Sequence, residues 1–220
     1  IQINDQIAQK IYRDVLAGAA IDSGTTVFDL YSGIGITSVL FAERCARVYA
    51  VELNRDAVKA AAALKRACRL SDKIVNLAGD VGAVLARLTL ELDDERDEVK
   101  AVNTMKSKNI EANRARSILK NPKKVEYSTN FSFVSAPKPY RNTVFFIDPP
   151  RSGIDEKVAR AVLRFNPKQI VCLSCNPLTL SDDLKRFTAE YTVKSVTPYD
   201  MFPQTSHVET LVYLDRKEEE

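Results

Sequence analysis

Ser174-Cys175-Asn176-Pro177 follows an apolar run, Gln169-Ile170-Val171-Cys172-Leu173, that reads as a buried strand. A cysteine at the C-terminal end of such a strand stands where open α/β sheets place their ligand crevice. Thirty-four residues later, His207-Val208-Glu209 brings an acid into another apolar run. A thiol able to attack and a carboxylate able to take a proton, both at strand ends, point to covalent catalysis rather than simple binding. Other cysteine chemistries fit less well. Cys172 and Cys175 form a C-x-x-C, but zinc takes four ligands, and the chain has no second pair and one histidine. No metal is expected. A redox pair of the thioredoxin kind opens a helix near the chain start, whereas Cys172 lies inside the strand and faces the core. Cys45 and Cys68 fall in helical patterns and read as buried small apolar residues. His207 reads as a packing or loop-fixing residue.

A second group of residues has the makings of a cofactor site. Phe28-Asp29-Leu30-Tyr31-Ser32-Gly33-Ile34-Gly35 is a strand followed by a glycine turn, and Gly33 and Gly35 let backbone approach a ligand without a Cβ clash. A dinucleotide fingerprint requires a third glycine where this chain has Ser38. Glu52 ends the next strand, 17 residues after Gly35, where a carboxylate accepts ribose hydroxyls. Asp80 ends the third strand, within reach of an adenine amino group, and Asp148 ends the fourth. Taken singly, each acid also reads as a helix cap or turn residue. Three together, with no lysine or arginine in the glycine turn, disfavour a phosphate ligand. They suit a nucleoside carrying a positive sulfonium, which describes S-adenosylmethionine. Asp148-Pro149-Pro150-Arg151 is the sharpest local motif: two prolines hold the backbone extended and offer no N–H donors. A D-P-P motif recurs in S-adenosylmethionine enzymes that methylate exocyclic nitrogens, with an aromatic residue next; Arg151 in that place points away from amine methylation.

Strands and helices must hold these residues at one edge. Helices are predicted over 5–19, 36–45, 55–69, 81–92, 155–165 and 178–190. Strands are predicted over 27–31, 47–52, 73–78, 143–148, 169–173, 192–199 and 208–215. Their alternation predicts a Rossmann-like α/β fold: a mostly parallel, doubly wound seven-stranded sheet with helices on both faces. Right-handed crossovers then align the strand C-termini along one edge. The last two strands are joined by a loop too short for a crossover helix, so that pair is predicted antiparallel. The alternation stops between about 93 and 142. There an acidic stretch, Glu91 to Glu98, precedes a basic one carrying Lys100, Lys106, Lys108, Arg114, Arg116, Lys120, Lys123 and Lys124. It reads either as a solvated insertion with some helix near 99–119 or as a basic arm against RNA phosphate.

The chain of 220 residues, with hydrophobic content of 45%, charged content of 28% and net charge +3, suits one soluble globular domain, 1–220. The charge is compatible with a nucleic-acid partner without demanding one. No apolar run is long enough for a membrane span, so no membrane partner is expected. Reduced cysteines are expected in an intracellular setting, whether cytoplasm, nucleus or mitochondrion. The chain opens at Ile1 without methionine or a leader-like segment, which predicts a piece of a longer protein.

Together these residues resemble the RNA 5-methyluridine methyltransferase family, over nearly the whole chain from Gln2 to about Arg216. The resemblance rests on Asp148-Pro149-Pro150-Arg151-Ser152-Gly153, on Ser174-Cys175-Asn176-Pro177, and on Asp200-Met201-Phe202-Pro203-Gln204-Thr205-Ser206-His207-Val208-Glu209, in that order. It implies a methyltransferase fold, with Cys175 as nucleophile and Glu209 as base. It also implies S-adenosylmethionine contacts at Gln2, Tyr31, Glu52, Asp80 and Asp148; Gln2 matches a glutamine that opens the family's catalytic domain. Ile36 departs from the pattern, since some members carry a polar cofactor contact there. The family's usual N-terminal RNA-binding part is absent from this chain. On this resemblance Cys175 adds to C6 of uracil, C5 takes the methyl group, and Glu209 removes the C5 proton. Arg151 and Asn176 are candidates to bond the uracil edge or a phosphate. The Pro149-to-Gly153 segment and the long insertion resemble the transfer-RNA branch, whose target is the T-loop uridine. Ribosomal RNA as substrate, and a catalytically silent RNA-binding module, remain the alternatives.

Overall fold

The computed structural model describes residues 4–89, 142–201, 204–205 and 208–218. Gln2, His207 and nearly all of the charged insertion lie outside these residues. By packing, the chain divides into two units, Ile1–Ala86 with Lys138–Glu220, and Arg87–Pro137. The sheet belongs to the first.

Central strands in a doubly wound sheet are covered on both faces, so they read as unbroken apolar runs. β1 (Thr26–Leu30), β4 (Thr143–Ile147) and β5 (Gln169–Ser174) are buried along their whole length. β2 (Arg47–Glu52) and β3 (Ile74–Ala78) continue the parallel sheet on one side. On the other, β7 (Glu209–Arg216) runs antiparallel between β5 and the edge strand β6 (Tyr191–Tyr199). The order is β3-β2-β1-β4-β5-β7-β6, the expected seven-stranded α/β sheet with its antiparallel last strand. The chain winds outward in both directions from β1 and β4, and the crevice of such a sheet opens beyond the C-terminal ends of those two strands.

Alternation along the strands builds two cores. Phe28 and its register neighbour Phe145 stack at 4.7 Å, with Tyr49 and Phe165 against Phe28. The opposite face carries Val27, Val48, Val144, Phe146 and Val171. It is covered by α1 (Asp5–Gly18), through Ile11 and Val15, and by α2 (Ile36–Ala42), through Phe41. Polar residues start the helices by accepting their first free N–H groups. Asn4 caps α1, Asn54 caps α3 (Arg55–Ala67), Asp155 caps α5 (Glu156–Phe165) and Asn176 caps α6 (Pro177–Phe187). A helix over 81–89, α4, is capped by Asp80, whose Oδ1 accepts from Ala83 N–H at 2.9 Å.

Some boundaries differ from the sequence expectation. α2 stops at Ala42 rather than 45, because the Arg44 and Cys45 amides both return to the Phe41 carbonyl and turn the chain into β2. Cys45 is therefore in a turn, though buried as expected. Cys68 is exposed, contrary to the buried reading: it is the C-cap of α3, just past the last residue of the helix. α6 ends at Phe187 rather than 190, closed by a bond from Glu190 N–H to the Phe187 carbonyl. Among the described residues, no helix is long and apolar enough to cross a membrane.

Candidate active site

The loop after β1 is made largely by backbone. Tyr31 takes a left-handed φ of 62°, a costly conformation for a residue with a Cβ. Ser32 N–H donates to the Val51 carbonyl and Gly35 N–H to the Ser32 carbonyl, closing the turn. Gly33 N–H donates to Glu52 Oε2 at 2.9 Å, and Glu52 Oε1 accepts from Asn54 N–H at 2.7 Å. Glu52 thus braces the loop, and each of its oxygens keeps a lone pair for a ligand. A Cβ built on Gly33 would meet nothing within 4 Å, so open space lies against this glycine.

Asp29, an acid inside a fully buried strand, was not among the sequence candidates although its place in an apolar run marked it. Its Oδ2 accepts from Thr37 Oγ1 at 2.7 Å and from Ser38 Oγ. The hydroxyl at position 38 therefore holds the carboxylate, where a dinucleotide site would have its third glycine. Oδ1 is buried and without a hydrogen-bond partner among the described residues. Burial pushes the carboxyl up to about 6 against the pull of the two hydroxyls, and Glu52 adds a smaller push.

Asp148 follows β4 at the switch between the two winding directions, its N–H 3.4 Å from the Leu30 carbonyl. Its side chain is reachable by solvent but crowded by protein, the condition of a group on the floor of a cleft. That crowding is the largest cause pushing its carboxyl up to about 7, followed by the charges of Glu209 and Asp29. Tyr31 has acidic surroundings of its own: burial first, then Asp80, Asp155 and Asp183, push its phenol up to about 12. Asp80 stands two residues past β3 and caps α4, so the capping role foreseen for it is present.

On the other side, the β5–β7 ladder brings the thiol and the second carboxylate together. Ser174, the last residue of β5, pairs with Thr210, so Cys175 leaves the end of β5 next to Glu209, the first residue of β7. Cys175 is half-buried, and Cys172 is fully buried with its thiol pushed up to about 12. The Glu209 carboxyl is pushed up by burial, and the Arg151 guanidinium pulls it partly back. Asn176 is engaged within the protein: Oδ1 caps α6 at Leu178 N–H, 3.2 Å, and Nδ2 donates to the Arg151 carbonyl, 3.1 Å.

Tyr31, Gly33, Gly35, Glu52 and Asp148 thus stand at or just past the C-terminal ends of β1, β2 and β4, and Asp148 feels the charge of Glu209, which in turn feels that of Arg151. The partnerless Asp29 oxygen, the space against Gly33 and the surrounding carboxylates fit a cationic nucleoside ligand and not a phosphate.

Two family models match the chain: RNA cap guanine-N2 methyltransferase over residues 24–160, and tRNA (uracil-5-)-methyltransferase over residues 136–217. The first covers the crevice half and ends before Cys175; the second covers Asp148, Arg151, Cys175 and Glu209. The chain is similar to an uncharacterized RNA methyltransferase, YljE, of Lactococcus lactis, at 31% identity over 98% of this chain and 37% of the relative. An uncharacterized RNA methyltransferase of Staphylococcus epidermidis is also 31% identical, over 100% of this chain and 38% of its own length. The chain thus spans a little over a third of the length of these relatives. Its fold is that of the Pyrococcus abyssi tRNA (uracil-54, C5)-methyltransferase solved with S-adenosyl-L-homocysteine. That likeness has a TM-score of 0.64 at 21% identity and covers 97% of this chain and 39% of that one. An rRNA methylase of Streptococcus thermophilus shares the fold with a TM-score of 0.56 at 10% identity, covering 99% of each chain.

Proposed function

The chain belongs to the RNA methyltransferases, its C-terminal part being of the tRNA (uracil-5-)-methyltransferase type, and on that premise we propose that it methylates C5 of uridine in RNA. The methyl donor is S-adenosylmethionine, and the favoured substrate is the T-loop uridine of transfer RNA. The observation that supports this reading is the β5–β7 register, whose last pair, Ser174 with Thr210, stands directly before Cys175 on one strand and directly after Glu209 on the other. The donor supplies an electrophilic methyl group on a sulfonium.

Uracil C5 is a poor nucleophile, and the chain's residues correct that. Cys175 thiolate adds to C6, and the electron pair of the C5–C6 double bond moves toward C5 and the O4 carbonyl. Cys175 stands directly before Asn176, the N-cap of α6. C5 takes the methyl group, and Glu209 then accepts the C5 proton. The released pair reforms the double bond, and Cys175 leaves as thiolate. Burial of Glu209 makes it a better proton acceptor than an exposed carboxylate, and the Arg151 guanidinium pulls partly the other way. Tyr31, Gly33, Gly35, Glu52, Asp80 and Asp148 are proposed to hold the donor, with Gln2 a further contact outside the described residues. The uridine is reached flipped or already looped out. Arg151 side-chain contact with the uracil or a phosphate belongs to this proposal, as does one catalytic domain interrupted by the charged insertion.

The guanine-N2 match offers a second reading, methylation of an exocyclic amine. Amine transfer requires no thiol, and it gives Cys175 and Glu209 nothing to do. One experiment separates the two. The full-length protein is given labelled S-adenosylmethionine with unmodified transfer-RNA or ribosomal-RNA transcripts, and the product nucleosides are identified. Label in 5-methyluridine of transfer RNA, lost with Cys175→Ala, is the expected result. Label in N2-methylguanosine, or none in either RNA while the donor still binds, overturns the proposal.

A further inference from the structure

Helix α6 starts two residues after Cys175, and with its cap it presents polar side chains at positions 176, 179, 183 and 186. Spacings of three and four place them on one face. That face is stapled to the loop that follows the two prolines. Asn176 Nδ2 donates to the Arg151 carbonyl at 3.1 Å. Thr179 Oγ1 lies 3.4 Å from the same carbonyl, though its single proton has a nearer acceptor in the Asn176 carbonyl at 3.1 Å. Ile154 is held at both ends of its peptide. Its N–H donates to Asp183 Oδ2 at 2.8 Å, and its carbonyl accepts from Arg186, which also donates to Asp183 Oδ1 at 3.1 Å.

Asp183 is the buried centre of this arrangement, 3% exposed. Burial pushes its carboxyl up, and the Ile154 N–H and Arg186 hold it down against that push. The fit leaves no slack. Gly153 turns the loop at φ 86°, and a Cβ on it would lie 2.7 Å from Asp183 Oδ2. Arg151 and Cys175 are thus attached to one rigid helix, the first through hydrogen bonds and the second through the chain.

We propose that Asp183 is a positioning residue for the reaction: by holding the Gly153–Ile154 turn, it keeps the Arg151 guanidinium in register with Glu209 and Cys175. It touches neither RNA nor donor and acts through Arg151. The inference rests on the proposed function for the importance of Arg151, but its geometric content is testable without RNA.

The test is carbon-13 carboxyl NMR titration of Glu209, with Glu209→Gln assigning the signal. It is run on wild type, Arg151→Ala, Asp183→Ala, Asp183→Asn and the Arg151→Ala/Asp183→Ala pair. Among the described residues, Arg151 and Asp148 are the charged groups that act on or feel Glu209. Loss of Arg151 raises the Glu209 midpoint. Loss of the Asp183 charge by itself would lower it, since a negative charge has gone. A rise in Asp183→Ala therefore reports a displaced Arg151. Asp183→Asn keeps an oxygen for Ile154 N–H and shows no rise, and the double variant goes no higher than Arg151→Ala. In methyl transfer, Asp183→Ala lowers turnover about 10- to 100-fold with the KM for donor unchanged, and the double variant is no slower than Arg151→Ala. Asp183→Ser, too short to reach Ile154, carries the same test if the alanine variant does not fold.

A fall or no change at Glu209 in Asp183→Ala, no movement in Arg151→Ala, or additive effects in the pair overturns the inference. Concerted rises in a protein that methylates no uridine uphold the positioning and sink the proposed function instead.

Discussion

Beyond β1 and β2 the site is made by backbone. A strained Tyr31, a glycine with open space against it and a glutamate accepting two main-chain N–H groups form a surface that waits for a ligand to complete it. Beyond β4, β5 and β7 the site is made by side chains already satisfied by one another. Asn176 and Asp183 hold the Arg151-to-Ile154 loop, and the β5–β7 ladder ends at Ser174 and Thr210, the neighbours of Cys175 and Glu209. The two regions meet at Asp148, whose carboxyl is pushed up by crowding and then by Glu209 on one side and Asp29 on the other. The first construction suits any chemistry that uses the same donor, and the model for a different methyl acceptor, over residues 24–160, spans it and stops short of Cys175 and Glu209. The second carries the thiol and the carboxylate on which the proposed uridine chemistry depends. Substitutions in the two regions should therefore fail differently: losses of rate with binding intact in one, losses of binding with chemistry intact in the other.

Cys175→Ala should give the largest effect. Without a nucleophile to activate C5, methyl transfer falls on the order of 10⁴-fold or more. Binding of S-adenosyl-L-homocysteine, measured by calorimetry, stays within about twofold because the cysteine lies outside the glycine loop. A large loss of cofactor affinity would show that the two regions are not separable. Glu209→Gln should cost about 10²- to 10⁴-fold in rate. It should also leave a methylated RNA covalently attached to Cys175, since the thiolate cannot depart until the C5 proton has gone. Gel electrophoresis under denaturing conditions reveals that adduct. In the wild type, turnover should fall as pH drops through the Glu209 midpoint. Burial raises that carboxyl, so the acid limb lies higher than it would for an exposed glutamate.

The difference in construction also decides what the sequence could reveal. Cys175, Glu209, Arg151 and Asp148 stand in compact runs of unusual composition, and the strands beneath them are unbroken apolar segments that hardly admit another reading. Alternation of strand and helix was enough to predict the sheet, down to the antiparallel β7. What escaped was everything fixed by tertiary packing. Asp29 looks like one more strand residue until Ser38 and Thr37 are seen donating to it. Asp183 lies 32 residues from Arg151 in the chain, and its helical spacing with Asn176 has no meaning until the Ile154 N–H is found opposite it. Asn176 reads as a substrate contact by adjacency to Cys175, yet both ends of its amide are used to build the loop. Cys68 follows a helical pattern by spacing but falls one residue past the helix, where its side chain meets solvent.

Asp29 gives the waiting region an unusual dependence of stability on pH. Its folded carboxyl titrates at about 6 rather than 3.8, so between those values the native state binds more protons than the unfolded chain. Stability therefore falls as pH rises through this window and is restored as pH drops, the reverse of ordinary acid denaturation. The shift corresponds to about 3 kcal/mol at neutral pH. Asp148 acts in the same direction, more weakly because water reaches it. Asp14 and Asp22, whose carboxyls are held down by hydrogen bonds from Lys10 and Thr25, act the opposite way and only below about 3.8. The urea midpoint of the cofactor-free protein should rise between pH 7.5 and 5, and Asp29→Asn should flatten that rise. An unchanged slope in the variant would place the proton elsewhere.

The smallest effect isolates the waiting surface itself. Gly33 and Gly35 both have left-handed backbone, at φ 54° and 84°, so an alanine at either costs about 1 kcal/mol in strain. Their surroundings differ. A Cβ on Gly35 lies 3.1 Å from the Ala61 Cβ on α3, and it must push the helix. A Cβ on Gly33 meets no protein atom and enters the space assigned to the donor. Gly35→Ala should therefore lose a further 1 to 2 kcal/mol of folding stability from overpacking. Gly33→Ala should lose only the strain, while donor affinity falls about tenfold. Paired melting curves and calorimetry on the two variants read both quantities. If Gly33→Ala binds the donor as wild type does, the space beside it is not where the nucleoside lies, and Glu52 has to be reassigned from ligand contact to loop brace alone.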